Sequence, residues 1–450
     1  MTEFFERAEA ASRLTSLCEM RGRVTDVTGL VIEGSGPMLP VGSQATIHSG
    51  QLSIPAQVVG FRSDKVLLMP YSDLQGISPG AIITASGTET EILVSDAMLG
   101  RVLNGLGQPI DGHPLPVVGE TAPLYREPPS PITRARIHEC FDVGVRAINS
   151  FLTIGAGQRV GIMAGSGVGK STLLGMIAKH SVSDINVIAL VGERGREVRE
   201  FIERDLGPEG LARSIVVVAT GNESALLRIR AAFLATAIAE YYRDRGKKVV
   251  LMVDSVTRFA MAQREIGLAI GEPPSTRGYT PSVFAMLPRL LERAGTAEGE
   301  GSITGLYTVL VEGDDMNEPI ADATRGILDG HIVLSRKLGG KGHYPAIEIL
   351  ESVSRVMSDI VPAELLELTS EARDILATYR EAEDLITIGA YKPGQNPRVD
   401  RAVQRIDQLN KFLKQRPQEK VALMDSWVLL KSILTAPQAN TDATAAGGSA

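Results

Sequence analysis

The sequence predicts an α/β core built on a largely parallel sheet, with a small β-barrel before it and a helical domain after it. Three observations carry this prediction. Between about residues 140 and 360, apolar strand-like runs alternate with longer helical patterns, as expected where helical crossovers join neighbouring parallel strands. From Gly22 to about Leu93, short β-branched runs are separated by Gly, Pro and Asp turns. After Pro362, apolar positions recur with helical spacing.

Core strands are expected at Arg159–Met163, Asn186–Val191, Ser214–Ala219, Lys248–Val253 and Gly305–Val311, and helices at Ala363–Arg380 and Arg398–Lys414. Residues 99–138 have the composition of a connector, ending in Pro128-Pro-Ser-Pro131. Residues 1–20 read as an amphipathic helix, with Phe4, Ala8, Ala11, Leu14, Leu17 and Cys18 forming a stripe that needs a cover. The expected organisation is therefore a helix at 1–20, a barrel at 21–95, the α/β core with its connector at 96–362, a helical domain at 363–434 and a disordered tail at 435–450.

Composition narrows the class. At 450 residues the chain is long enough for two or three domains, and its 44% hydrophobic and 22% charged residues are those of a soluble globular protein. No apolar run is long enough to cross a bilayer, and Glu3, Glu6, Glu9 and Glu19 are unlike a secretory signal, so a cytoplasmic location is expected. Cys18 and Cys140 are far apart and read as reduced thiols, while the six histidines are scattered and offer no zinc site. A net charge of −7 and an aromatic content of 4% argue against nucleic acid as a partner.

The chemistry is concentrated in Ala164-Gly165-Ser166-Gly167-Val168-Gly169-Lys170-Ser171-Thr172, which follows an expected strand and opens an apolar helix at Leu173–Lys179. Glycines let successive amides curl around a phosphate, and the helix amino end adds partial positive charge. Lys170 supplies a mobile cation to the β- and γ-phosphates of ATP, and the Ser171 hydroxyl suits Mg²⁺. The first position holds Ala164 where the strict pattern has Gly. The strand Lys248–Val253 ends in Asp254, a carboxylate placed to hold Mg²⁺ through its water shell, although an isolated Asp there would be a helix cap. Ser255 follows it, so the group that activates water must come from another strand end. Glu193, after Asn186–Val191, is the candidate base, and Arg194 is a candidate phosphate or structural partner.

Four further motifs carry a resemblance: Gly192-Glu-Arg-Gly-Arg-Glu197, Asp254-Ser-Val-Thr-Arg258, Gly271–Phe284 and His343–Arg355. Together, from about Met20 to about Leu413, the chain resembles the rotary ATP synthase catalytic subunits, and among them the type III secretion branch and its flagellar export ATPases. The resemblance implies a RecA-like P-loop NTPase core between a small amino-terminal β-barrel and a carboxyl-terminal helical domain. Glu193 matches the glutamate that polarises the attacking water, whereas non-catalytic paralogues carry Gln there. Arg355 matches an arginine finger extended by a neighbouring subunit, Tyr344 an aromatic that lies against adenine, and Arg258 and Arg194 arginines near the phosphates.

Also implied are ATP and Mg²⁺ as cofactors, a homohexamer, a stator-like regulatory protein at residues 1–20 and a central stalk protein. Export substrates or chaperones, and an export gate at the cytoplasmic face of the inner membrane reached through these partners, complete the set. Ile388-Gly-Ala-Tyr391 looks more like the flagellar than the virulence-secretion form. Two rival readings use the same core: a structural subunit that only binds nucleotide, which Glu193 disfavours, and a hexameric helicase, which the acidic, aromatic-poor composition disfavours.

Overall fold

The computed structural model describes residues 20–86, 91–116, 118–311, 313 and 315–435. The amphipathic stretch at 1–20, save Met20, and the tail beyond Thr435 lie outside the described residues.

Six strands, β1 (Arg21–Thr28), β2 (Val31–Gly34), β3 (Gln44–Ser49), β4 (Leu52–Arg62), β5 (Lys65–Pro70) and β6 (Ile82–Ala85), close into a barrel in the order β1-β2-β5-β4-β3-β6. Pairing of Arg21–Arg23 with Ile82–Thr84 completes the ring, so no strand edge is left open. Alternate residues such as Val24, Ile32, Ile47, Val58, Leu68 and Ile83 fill its interior.

The central sheet has nine strands. Eight of them are β7 (Val102–Asn104), β8 (Arg159–Ala164), β9 (Ile185–Val191), β10 (Ser214–Ala219), β11 (Lys248–Asp254), β12 (Ser302–Leu310), β13 (Gly330–Leu334) and β14 (Val353–Ser354). They lie in the order β14-β13-β8-β12-β11-β9-β10-β7 and are parallel except for β14; the ninth, Gly295–Thr296, pairs antiparallel with β12. Every residue of β9 and β10 is buried, because helices cover both faces of the sheet and no alternation with polar residues is needed. The helices that place the site are α1 (Lys170–His180), which follows β8, α2 (Ala225–Arg243), which packs over β9 to β11, and α3 (Val256–Ile270), which follows β11.

The helical domain consists of α4 (Ala363–Thr387), α5 (Pro397–Leu413) and α6 (Leu423–Thr435). Asn396 begins α5, its side chain accepting from the Arg398 amide with Pro397 in the first turn. Phe412, Trp427, Leu430 and Leu434 share one core with Phe151, Leu152 and Ile177 of the central domain, so the helical domain is welded to the central sheet and its helices.

The five expected core strands are present with shifts of a few residues at their ends. The stretch expected as connector also contributes an edge strand, since Val102–Asn104 pairs with Val216–Val218. Helix α6 ends at Thr435, one residue inside the span expected to be disordered.

Candidate active site

The site forms where β8, β9 and β11 end, at the carboxyl edge of the parallel sheet. Beyond Ala164 the chain turns through Gly167 (φ 78°) and Gly169 (φ 90°), left-handed conformations that a side chain would strain, and then enters α1 at Lys170. The amino end of that 11-residue helix faces the loop. A cleft of about 570 Å³ opens there, lined by Ala164 to Gly167, Gly169 to Thr172, Glu193, Arg194 and Arg258. Val168, between Gly167 and Gly169, is buried in the apolar core instead.

Lys170 is the hub. Its Nζ lies 2.5 Å from Asp254 Oδ1 and 3.1 Å from Glu193 Oε1, so three strand ends meet at one ammonium. Burial works against the Lys170 charge, but Asp254 and then Glu193 outweigh it and hold the amine above its ordinary range. One cation cannot satisfy two buried carboxylates equally. Asp254 has the closer contact and a second donor, the buried Thr308 hydroxyl at 2.7 Å from the same Oδ1. Glu193 is pushed up to about 7 from its ordinary 4.5, by burial first and the Asp254 charge second, with Lys170 offsetting only part. The site therefore holds a carboxyl poised to exchange a proton near neutral pH beside a carboxylate reserved for cations.

The donors fit Mg²⁺. Among the described residues no group of three or more His, Cys, Asp or Glu could hold a metal alone. Asp254 and the Ser171 hydroxyl are hard oxygen donors of the kind Mg²⁺ uses when phosphates and water complete its shell, and the pocket already stabilises a cation between its carboxylates.

The remaining predicted residues fall in three places. Arg258 lines the cleft, and its stem crosses Gly192 so closely that a methyl group there would lie 2.7 Å from the Arg258 Cβ. Arg194 stands at the rim, largely solvent-exposed and 3.1 Å from Glu197. Tyr344 packs its ring against the last glycine of the loop, about 3.5 Å from where a Gly169 Cβ would lie, with half its surface open. Arg355 is not brought to this site. It follows β14, which pairs with the start of β13, so it lies at the opposite edge of the sheet from the loop. At about 3.3 Å per residue, the span from Gly330 to Leu334 alone separates the two edges by roughly 13 Å. There Arg355 is exposed and donates to the Arg325 carbonyl at 3.1 Å.

Thr308 was missed by sequence reasoning because a hydroxyl in the middle of an apolar strand carries no motif. Arg336 was missed too; it lines the same cleft from the end of β13, a strand too short and too interrupted by His331 to stand out.

The profile of the ATP synthase alpha/beta family nucleotide-binding domain matches residues 144–354, and that of the T3SS EscN ATPase C-terminal domain matches residues 361–432. The flagellum-specific ATP synthase of Bacillus subtilis is 55% identical over 424 residues, covering 93% of this chain and 96% of that protein. The assembled ATPase EscN from the enteropathogenic E. coli type III secretion system superposes with a TM-score of 0.86 at 44% identity, over 92% of this chain and 100% of that one. The same ATPase in complex with its central stalk EscO gives a TM-score of 0.85, also at 44% identity and the same coverage. With identity of this extent over nearly the whole length, the chain belongs to the ATP synthase alpha/beta family, in the branch of the flagellum-specific and type III secretion ATPases.

Proposed function

We propose that the protein hydrolyses Mg-ATP as a homohexamer and that turnover energises or times protein export through the flagellar type III apparatus. The observation that carries this reading is the meeting of Lys170 with Glu193 and Asp254 beneath the phosphate loop. Loop amides and Lys170 receive the β- and γ-phosphates. Ser171 and Asp254 would hold Mg²⁺, which when bound would neutralise charge on the transferring phosphoryl group. Glu193 orients a water and accepts its proton as the water oxygen bonds to the γ-phosphorus and the bond to the β-phosphate oxygen breaks. A carboxyl raised toward neutrality is a stronger base than an exposed one and suits that task.

Arg355 is too far from its own loop to serve it, so it acts on the γ-phosphate of a neighbouring subunit and ties activity to ring assembly. Tyr344 packs on the adenine, while Arg258 and Arg194 serve the phosphate side. Among the described residues no helix is long and apolar enough to cross a membrane, consistent with a cytoplasmic protein that reaches the inner membrane and its export gate through partners. The complex of EscN with EscO supports a central stalk partner here, and residues 1–20 would carry a stator-like regulator. The higher identity to the flagellum-specific relative, 55% against 44% for EscN, favours the flagellar system over the virulence one.

The test is ATP turnover across a protein concentration series, with mass measured alongside in a non-hydrolysable analogue. Activity per molecule should rise as hexamers appear. Activity that is constant per molecule in a monomeric sample would remove the ring from the mechanism.

A further inference from the structure

Arg336 belongs to none of the motifs that mark the nucleotide site, yet the fold brings it to the phosphate loop. Strand β13 lies beside β8 with Leu334 opposite Ala164, so Ser335-Arg336 and Gly165 leave the sheet side by side. Ser335 caps the short helix Arg336–Gly340 by accepting from the Leu338 amide, which fixes the direction in which Arg336 starts. The guanidinium then turns its Nε–Nη2 edge toward the Gly165 backbone. A methyl group on Gly165 would fall 2.7 Å from Nη2, 2.9 Å from Nε and 3.2 Å from Cζ of Arg336, so only glycine admits it. At the far end of the same segment Tyr344 lies against Gly169, about 3.5 Å from the position of its missing Cβ. The loop is thus braced at both its first and last glycines by one stretch of chain. Lys341, within that stretch, pairs with Glu383 of α4 at 2.9 Å and ties the brace to the helical domain.

We propose that Arg336 is a positioning residue of the nucleotide site: its guanidinium holds the Gly165 backbone in the curl that collects phosphates and adds fixed positive potential behind it. This rests on reading the cleft as the ATP site. Arg336 acts through the loop, so it governs affinity for the phosphate chain and not the chemical step. Its exposure to solvent screens the contribution and keeps it moderate. Lysine, a point charge without the planar fork, replaces only part of it.

The test uses full-length wild-type protein, Arg336→Ala, Arg336→Lys, Gly165→Ala and the double variant Gly165→Ala with Arg336→Ala. Binding of fluorescent ATP and ADP analogues is measured with thermal melting and steady-state kinetics. Arg336→Ala should weaken both nucleotides about five- to tenfold, raise KM by a similar factor and leave kcat within about threefold, with the nucleotide-free melting temperature nearly unchanged. Arg336→Lys should recover part of the affinity and keeps the test valid if the alanine variant folds poorly. Gly165→Ala, by displacing the guanidinium, should weaken binding comparably, and the double variant should be little worse than either single one. Unchanged affinity in Arg336→Ala and Arg336→Lys, or losses from the two sites that multiply independently, would overturn the proposal while wild-type binding leaves the ATP-site reading intact. Wild-type protein that binds neither analogue would overturn both.

Discussion

Replacing Glu193 by Gln should stabilise the nucleotide-free protein at the same time as it disables it. Folding moves this carboxyl from 4.5 to about 7, because burial and then the Asp254 charge outweigh the pull of Lys170. Between those values the folded protein keeps a proton that the unfolded chain has released, so the stability of the wild type falls as pH rises through that window. At 1.36 kcal/mol per tenfold change in proton affinity, the full penalty above pH 7 is roughly 3 kcal/mol. Glutamine removes the penalty but also an ion pair at 3.1 Å, while Lys170 keeps its closer partner Asp254. The net gain at pH 8 should be about 1–3 kcal/mol, seen as a rise of about 1–3 °C in melting temperature. At pH 5, where folded wild type already carries the proton, the gain should shrink to well under about 1 °C. The assay is thermal melting of dilute, nucleotide-free and magnesium-free protein across this pH range. A variant no more stable than wild type at pH 8, or a difference that does not change with pH, would refute the reasoning.

Other consequences follow from the same geometry. Arg355→Ala should abolish turnover of the ring yet leave nucleotide affinity of the dilute monomer within about twofold, because the residue lies at the opposite edge of the sheet; equilibrium binding and turnover on one preparation check this. Lys170→Ala leaves Asp254 and Glu193, with only 4% and 14% of their side-chain surfaces exposed, facing each other without their cation. It should lose nucleotide binding and, at pH 8, roughly 2–4 kcal/mol of stability, measured by denaturant unfolding. Leu430→Ala removes a fully buried side chain from the seam between α6 and the central domain. A cost of about 2–5 kcal/mol is expected, with faster amide exchange in α6 than in the central sheet.

The phosphate loop was legible in the sequence because glycine spacing, a preceding apolar run and Lys170-Ser171 all encode one local shape. Asp254 was legible for a related reason: a fully apolar strand that ends in a carboxylate marks a sheet edge. Glu193 could be named but not placed, since periodicity gives strands without their order. Lys170 reaches Glu193 only because β11 and β12 stand between β8 and β9 and all their carboxyl ends point one way. Thr308 and Arg336 act through contacts between strands far apart in sequence, which no local pattern records. The helix α6 also went unmarked, its apolar residues lying on more than one face: Trp427 and Leu430 are buried while Met424 and Val428 are exposed. Val102–Asn104 was hidden by its Pro- and Gly-rich surroundings, as a three-residue edge strand is too short to show a period.

The central claim is that Glu193 takes the proton from the attacking water. Single-turnover quench-flow on assembled Glu193→Gln, with Mg-ATP bound before the chase, tests it most directly. Bound ATP should persist unhydrolysed, at a rate at least about a hundredfold below wild type, while its affinity is retained. Conversion of bound ATP to ADP at the wild-type rate would contradict the account.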